Sequence, residues 1–132
     1  MREPVWVAEQ DALLLHERLL ALHGGASGLR ALALLQSALA RPRQQYASVE
    51  KPDLIDTAAA CTAGILRNHP FVDGNKRTGF VVGILFLELN GYRFTASEED
   101  ATQAVMSLAA GTLDESSYAA FLRANVSASR KR

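Results

Sequence analysis

Residues 78–89, TGFVVGILFLEL, constrain the fold more than any other stretch of this chain, because they hold twelve residues with a single charge and no proline. A nearly continuous apolar run without proline, following the loop formers Pro70 and Gly74, predicts a helix over about 75–90. Its apolar residues, Phe80, Val81, Val82, Ile84, Leu85, Phe86, Leu87 and Leu89, fall on nearly every side of that helix. Such a helix cannot lie on a surface and belongs in the middle of a bundle. The rest of the chain must supply the elements that cover it.

Periodicity and punctuation predict those elements as helices. Val5-Trp6-Val7 reads as a short β-like entry. Apolar residues then recur at helical spacing over 9–22 (Leu13, Leu15, Leu19, Leu20, Leu22) until Gly24-Gly25 ends the pattern. A second helix is expected over 31–40, stopping at Arg41-Pro42 because proline restricts the residue before it. Residues 43–52 are polar without a clear period and read as loop. Arg41 and Arg43 there could reach an acidic partner, although solvated charges are the commoner outcome. Asp53 is placed to cap a third helix over 54–68. Beyond the central helix, Gly91 is a stop, residues 92–94 are a brief extended connection, Ser97 opens a fifth helix ended by Gly111, and Asp114 or Ser116 opens a sixth running to about Val126. The tail 127–132, with Arg130, Lys131 and Arg132, is expected to be disordered.

The chain of 132 residues is long enough for one domain, with the core expected at about 4–126. Fourteen basic and fourteen acidic residues cancel, so no general attraction to nucleic acid or an anionic membrane is implied. The longest apolar run, 80–87, is too short to span a bilayer. No secretory signal is read at the amino terminus, so a soluble bacterial cytoplasmic protein is expected and the sequon at Asn125 is a chance match. Cys61 is the sole cysteine and sits in an alanine-rich run, where it reads as a small buried residue. His16-Glu17 starts like a zinc-protease motif, but Leu20 stands where the second ligand is needed, so His16 and His23 are taken as ordinary surface or edge histidines.

Chemistry concentrates in the nine residues before the apolar run: His69, Pro70, Phe71, Val72, Asp73, Gly74, Asn75, Lys76 and Arg77. Pro70 ends the preceding helix near His69, and Gly74 permits a tight turn. Taken singly, each polar residue has an ordinary role: Asp73 a helix cap, Asn75 and Lys76 solvated side chains, His69 a helix-terminal histidine. Together they converge on one turn. Lys76 and Arg77 stand in the first helical turn, where the backbone dipole disfavours cations by about 0.3–1 kcal/mol each. A bound anion reverses that cost, which points to phosphate as the ligand. Phe71 is read as packing beneath the loop.

The nine residues resemble the signature of the Fic/Doc family, H-P-F-x-[D/E]-G-N-[G/K]-R, at every specified position. The lysine form, Asn75-Lys76-Arg77, is similar to the Doc (death-on-curing) branch, the toxin of bacterial toxin-antitoxin pairs. Looser similarity continues in Leu15-His16 with Gly24-Gly25 and Gly28-Leu29-Arg30, and in 87–91. The resemblance implies an all-α fold, a compact Fic/Doc-type bundle of about six helices with a buried central helix following the signature loop. It implies transfer from a nucleotide to a protein hydroxyl, with ATP as substrate and Mg²⁺ as cofactor. His69 would then be the general base, Asp73 the Mg²⁺ ligand, and Gly74, Asn75, Lys76 and Arg77 the phosphate-binding group, with Asn75 offering side-chain as well as backbone donors. Arg77 would also stabilise charge during transfer.

Two positions discriminate within the family. AMP-transferring members resembling this chain have glycine at the position of Lys76 and a second arginine where Phe80 stands here. Similarity to Doc therefore implies kinase-like transfer of the γ-phosphate to a threonine of elongation factor Tu, arresting translation. The alternatives are AMP transfer, or a catalytically silent protein kept for its complex with an antitoxin. The family's inhibitory pattern, [S/T]-x-x-x-E-[G/N], is missing, since Thr95 and Glu99 are followed by Asp100. The implied partner is thus a cognate antitoxin that supplies the inhibitory helix in trans.

Overall fold

A computed structural model describes residues 3–129. Among them the order is α1 (Glu9–His23), α2 (Leu32–Ser48), α3 (Leu54–Asn68), α4 (Asn75–Leu89), β1 (Tyr92–Phe94), α5 (Glu98–Ala110), α6 (Glu115–Ala124) and β2 (Val126–Ala128). The expected all-α bundle of six helices is what the chain forms. None of these helices is long and apolar enough to cross a membrane.

Helices α3 and α4 share the centre. From Ile55 to Leu66 every residue of α3 except Asp56 is buried, and α3 packs mainly against α4, α2 and α6. Asp53 starts it as expected, its carboxylate accepting from the Ile55 amide at 2.7 Å. On α4 one face is fully enclosed (Thr78, Gly79, Val82, Gly83, Phe86, Leu87), whereas Phe80, Val81, Ile84 and Leu85 are half-buried. Close approach explains the glycines: a Cβ on Gly83 would strike the Thr62 hydroxyl, and one on Gly64 would lie 2.9 Å from the Ala38 carbonyl oxygen.

Helix α2 does not stop at Arg41-Pro42 but continues to Ser48 with Pro42 inside it. A proline in a helix interior costs about 3 kcal/mol and leaves the carbonyl four residues back, here Ala38, without its amide. Tertiary contacts offset that cost. Pro42 is buried, Arg41 Nη2 pairs with Glu115 Oε1 at 2.8 Å, Arg43 lies over the Trp6 ring at 5.3 Å, and Tyr46 meets Trp6 edge-on at 5.8 Å. The two arginines are thus occupied within the chain.

The carboxyl-terminal stretch also departs from expectation. Residues 127 and 128 belong to β2, which pairs antiparallel with β1 in the register Tyr92 to Ala128, Arg93 to Ser127 and Phe94 to Val126. The 92–94 connection is thereby a strand, completed by Thr95 N donating to Asn125 O at 2.7 Å and Ser129 N to Gly91 O at 2.7 Å. Arg130, Lys131 and Arg132 lie outside the described residues. The β-like entry at 5–7 forms no strand; Val5 is instead held by Asn90, which accepts from its amide at 2.8 Å and donates to its carbonyl at 2.9 Å.

Candidate active site

The loop between α3 and α4 begins at a backbone exception. His69, the C-cap of α3, has φ 49° and ψ 59°, making it the one non-glycine residue at positive φ among the described residues. Pro70 disfavours the right-handed helical alternative. Such a conformation costs on the order of 1–3 kcal/mol and persists where surrounding bonds over-determine it. Here Arg30 Nη1 donates to the His69 carbonyl at 2.7 Å, and the 28–30 backbone pairs with the loop, Arg30 N to Pro70 O at 2.6 Å and Val72 N to Gly28 O at 3.0 Å.

Asn75 ties the loop from inside. Its Oδ1 accepts from the Phe71 amide at 3.0 Å, its Nδ2 donates to the Phe71 carbonyl at 2.9 Å, and the same Nδ2 lies 3.3 Å from His69 Nδ1. Because Nδ2 can only donate, His69 Nδ1 is the acceptor in that contact. The Asn75 side chain, 5% exposed, is therefore engaged within the loop. Its backbone N–H lies in the first turn of α4, where it has no partner within the helix. Phe71 is buried beneath the loop, as expected.

Asp73 does not cap α4 by the usual reach into the first turn. The N-cap is Gly74, at φ 81°. Asp73 Oδ1 accepts from the adjacent Gly74 amide at 2.9 Å, and Oδ2 accepts from the Ala26 amide, across the α1–α2 loop, at 3.1 Å. Gly25 permits that approach, since a Cβ there would sit 2.8 Å from Oδ2. The Ala26 amide, then the Gly74 amide, hold the carboxyl below the usual carboxylate range against a smaller desolvation effect, and the charge of Arg77 adds to the lowering.

Lys76 and Arg77 are exposed, and among the described residues neither makes an ion pair; the first turn of α4 holds no acid. His69, Asp73, Gly74, Asn75, Lys76 and Arg77 all line one cleft of about 710 Å³. Phe80, Phe94 and Met106 form its apolar side. Phe80 packs edge-on against Phe94 at 5.7 Å, and Phe94 against Phe121 at 6.1 Å, so this position of α4 is committed to an aromatic cluster. A smaller cavity of about 380 Å³ lies by Tyr46, Asp53, Asp56 and Glu115, but those acids already face Arg123 and Arg41.

Asp73 fits Mg²⁺ only in company. No cluster of three or more His, Cys, Asp or Glu side chains exists among the described residues. An exposed, ionised carboxylate with one lone pair free on each oxygen, beside two unpaired cations and a helix start, suits the mode in which phosphate oxygens and water complete the shell.

Two contributors were given no part in the site by the sequence, although both stand in stretches that resemble the family. His16, taken as a surface or edge histidine, is 5% exposed: its Nε2 lies 2.8 Å from the Asp73 carbonyl oxygen, and its ring stacks on Phe71 with centroids 3.8 Å apart and planes at 9°. The leucine spacing misled here. The buried positions of α1 are Ala12 and His16, one turn apart, whereas of the expected leucines Leu13, Leu15, Leu19 and Leu20 are half-buried and Leu22 is exposed. Arg30 left no periodic signal, and its partners are backbone carbonyls 38 and 39 residues away. His23, by contrast, is exposed and lines the cleft.

A model of the Fic/DOC family matches residues 6–87. The protein named Toxin Doc of Mycolicibacterium smegmatis is 42% identical over 74 residues, which are 55% of this chain and 57% of that protein. The protein named Protein kinase doc of Escherichia phage P1 is 30% identical over 117 residues, 89% of this chain and 92% of that protein.

Proposed function

The chain belongs to the Fic/DOC family, and from that premise we propose that it is the toxin of a toxin-antitoxin pair, a kinase that moves the γ-phosphate of ATP to a threonine hydroxyl of a translation protein, elongation factor Tu. The observation that carries the reading is the convergence of His69, Asp73, Lys76 and Arg77 with the amide-bearing start of α4 on one cleft. The kinase and toxin names of the two relatives support it.

In this mechanism His69 takes the proton of the attacking hydroxyl, the hydroxyl oxygen bonds to the γ-phosphorus, the bond from that phosphorus to the β–γ bridging oxygen breaks, and ADP leaves. A ring nitrogen without a proton is needed for the first event. In the neutral ring that nitrogen is Nδ1, which accepts from Asn75 at 3.3 Å, a long contact, so proton uptake there requires the Asn75 amide to move aside. Lys76, Arg77 and the Gly74–Asn75 amides bind the phosphates and meet charge as it spreads over the transferred group. Asp73 would hold Mg²⁺, which neutralises phosphate charge when bound. Phe80 favours phosphoryl over adenylyl transfer, because its place in the aromatic cluster leaves no cation there to orient the α-phosphate.

An antitoxin is the implied partner, and cytoplasmic action follows from the proposed target. The test is intact-mass analysis of elongation factor Tu after incubation with the protein, ATP and Mg²⁺, with His69→Ala as control. A gain of one phosphate, lowered by about 10²–10⁴ in rate by the substitution, is expected. A gain of AMP overturns the use of Phe80 and Lys76, and an unmodified target overturns elongation factor Tu as substrate.

A further inference from the structure

We propose that His16 is a positioning residue of the cleft, which sets the peptide of Asp73 and through it the carboxylate and amides that face the phosphates. The inference rests on the reading of Asp73 given above and concerns a residue 57 positions away on another helix.

The Asp73 carbonyl can only accept, so His16 Nε2 carries a proton in this contact. The neutral Nε2–H tautomer and the imidazolium both meet that need, so the bond does not depend on which is present. A hydrogen bond to a peptide oxygen fixes the plane of the peptide between Asp73 and Gly74. That plane contains the Gly74 amide, which donates to Asp73 Oδ1 at 2.9 Å, and its orientation sets where the Asp73 side chain leaves the backbone. The second carboxylate oxygen then reaches the Ala26 amide at 3.1 Å, on the loop that follows α1.

The ring also forms the floor of the turn. It stacks on Phe71 at 3.8 Å on one side, and a Cβ on Gly74 would lie 3.6 Å from its Cδ2 and Nε2. An apolar side chain could fill this space. Only a donor satisfies the Asp73 carbonyl, and a buried face of α1 otherwise made by Ala12 has no packing reason to carry an imidazole. His16 is therefore a shape-matched aromatic with one donor aimed at the metal-ligand peptide, the kind of supporting contact a precise site requires.

Two variants separate donor from shape. His16→Phe keeps an aromatic face against Phe71 and removes the donor; His16→Gln keeps a donor and removes the aromatic face. The readout is the amide proton shifts of Gly74 and Ala26 in ¹⁵N-labelled protein without nucleotide, with the Ile55 amide, bonded to Asp53, as an internal reference. In His16→Phe the Gly74 and Ala26 amides are expected to move toward solvent-exposed values while Ile55 stays, and in His16→Gln both are expected to recover at least half of that displacement. Unmoved Gly74 and Ala26 amides in a folded His16→Phe overturn the proposal. Should that variant not fold, His16→Gln alone decides: retained amide shifts support the donor role, and lost shifts with Ile55 intact overturn it. None of these outcomes depends on transfer activity, so a failure of the kinase reading is seen separately by mass. If both stand, His16→Phe should raise the Mg²⁺ concentration needed for half-maximal transfer about tenfold, with the target's KM unchanged.

Discussion

At the scale of residues, the site depends on side chains used against the backbone as much as on those facing the cleft. Asn75 closes a five-residue ring by bonding both the amide and the carbonyl of Phe71. Asn75→Ala leaves those two buried groups without partners, at about 1–3 kcal/mol for each. The expected outcome is a loss of about 2–4 kcal/mol in urea unfolding, together with loss of His69 alignment. Asn75→Asp should rescue only the half that accepts from Phe71 N, since a carboxylate cannot donate to Phe71 O. The types and spacing of His69, Asp73, Lys76 and Arg77 were legible in the sequence because the reactive groups lie in one contiguous stretch. The roles of His16 and Arg30 were not, although both stand in family-like stretches, because their partners are backbone atoms whose orientation is set by folding.

At the scale of elements, caps and stops were readable and helix contacts were not. Asp53, Ser97 and Asp114 each accept from an amide in the first turn of their helix, and Gly24 and Gly111 end theirs, as local chemistry requires. Pro42 broke the same kind of rule because α2 is held by Trp6, Glu115 and α3 on both sides of it. The crossing of α2 and α3 is tight enough that Gly64 touches backbone. Replacing a helical glycine with alanine ordinarily stabilises by up to about 1 kcal/mol. Gly64→Ala should instead destabilise by about 1–3 kcal/mol, because its Cβ would meet the Ala38 carbonyl oxygen at 2.9 Å and only a shift of the helices relieves it. Chemical denaturation reads the sign directly; a gain in stability would show that the helices separate freely.

At the scale of the whole molecule, the core sets how stability answers to pH. Cys61 and Tyr118 are buried, and burial pushes both the thiol and the phenol up to about 12. The Tyr118 hydroxyl makes no well-formed hydrogen bond, and the nearby Thr62 hydroxyl instead donates to Gly79 O at 2.8 Å. In the unfolded chain these groups ionise near 8.5 and 10. Below about pH 8 both are neutral in either state and add no pH dependence. As pH rises further the unfolded chain ionises first, so stability falls by about 1.4 kcal/mol per unit for each group in its window, until the folded groups ionise near 12. Urea melts from pH 7 to 11 should show the decline beginning near pH 8.5–9, and Cys61→Ala should remove its earlier part. On the acid side Asp73 and Asp114, both held low by backbone amides, contribute stability above about pH 4 that is lost as pH falls through their depressed values.

The sequence by itself determined the six helices, the caps Asp53, Ser97 and Asp114, the end of α3 at His69 and the gathering of phosphate-binding residue types, since each of these rests on contacts within a few residues of chain. Only the tertiary structure decided that α2 runs through Pro42, that residues 126–128 pair with 92–94, that Asn75 turns inward and that His16 lies under Asp73. The physical reason is common to all four. Each outcome balances a local preference against a partner distant in sequence, and the distance between two chain segments is not a property that either segment carries alone.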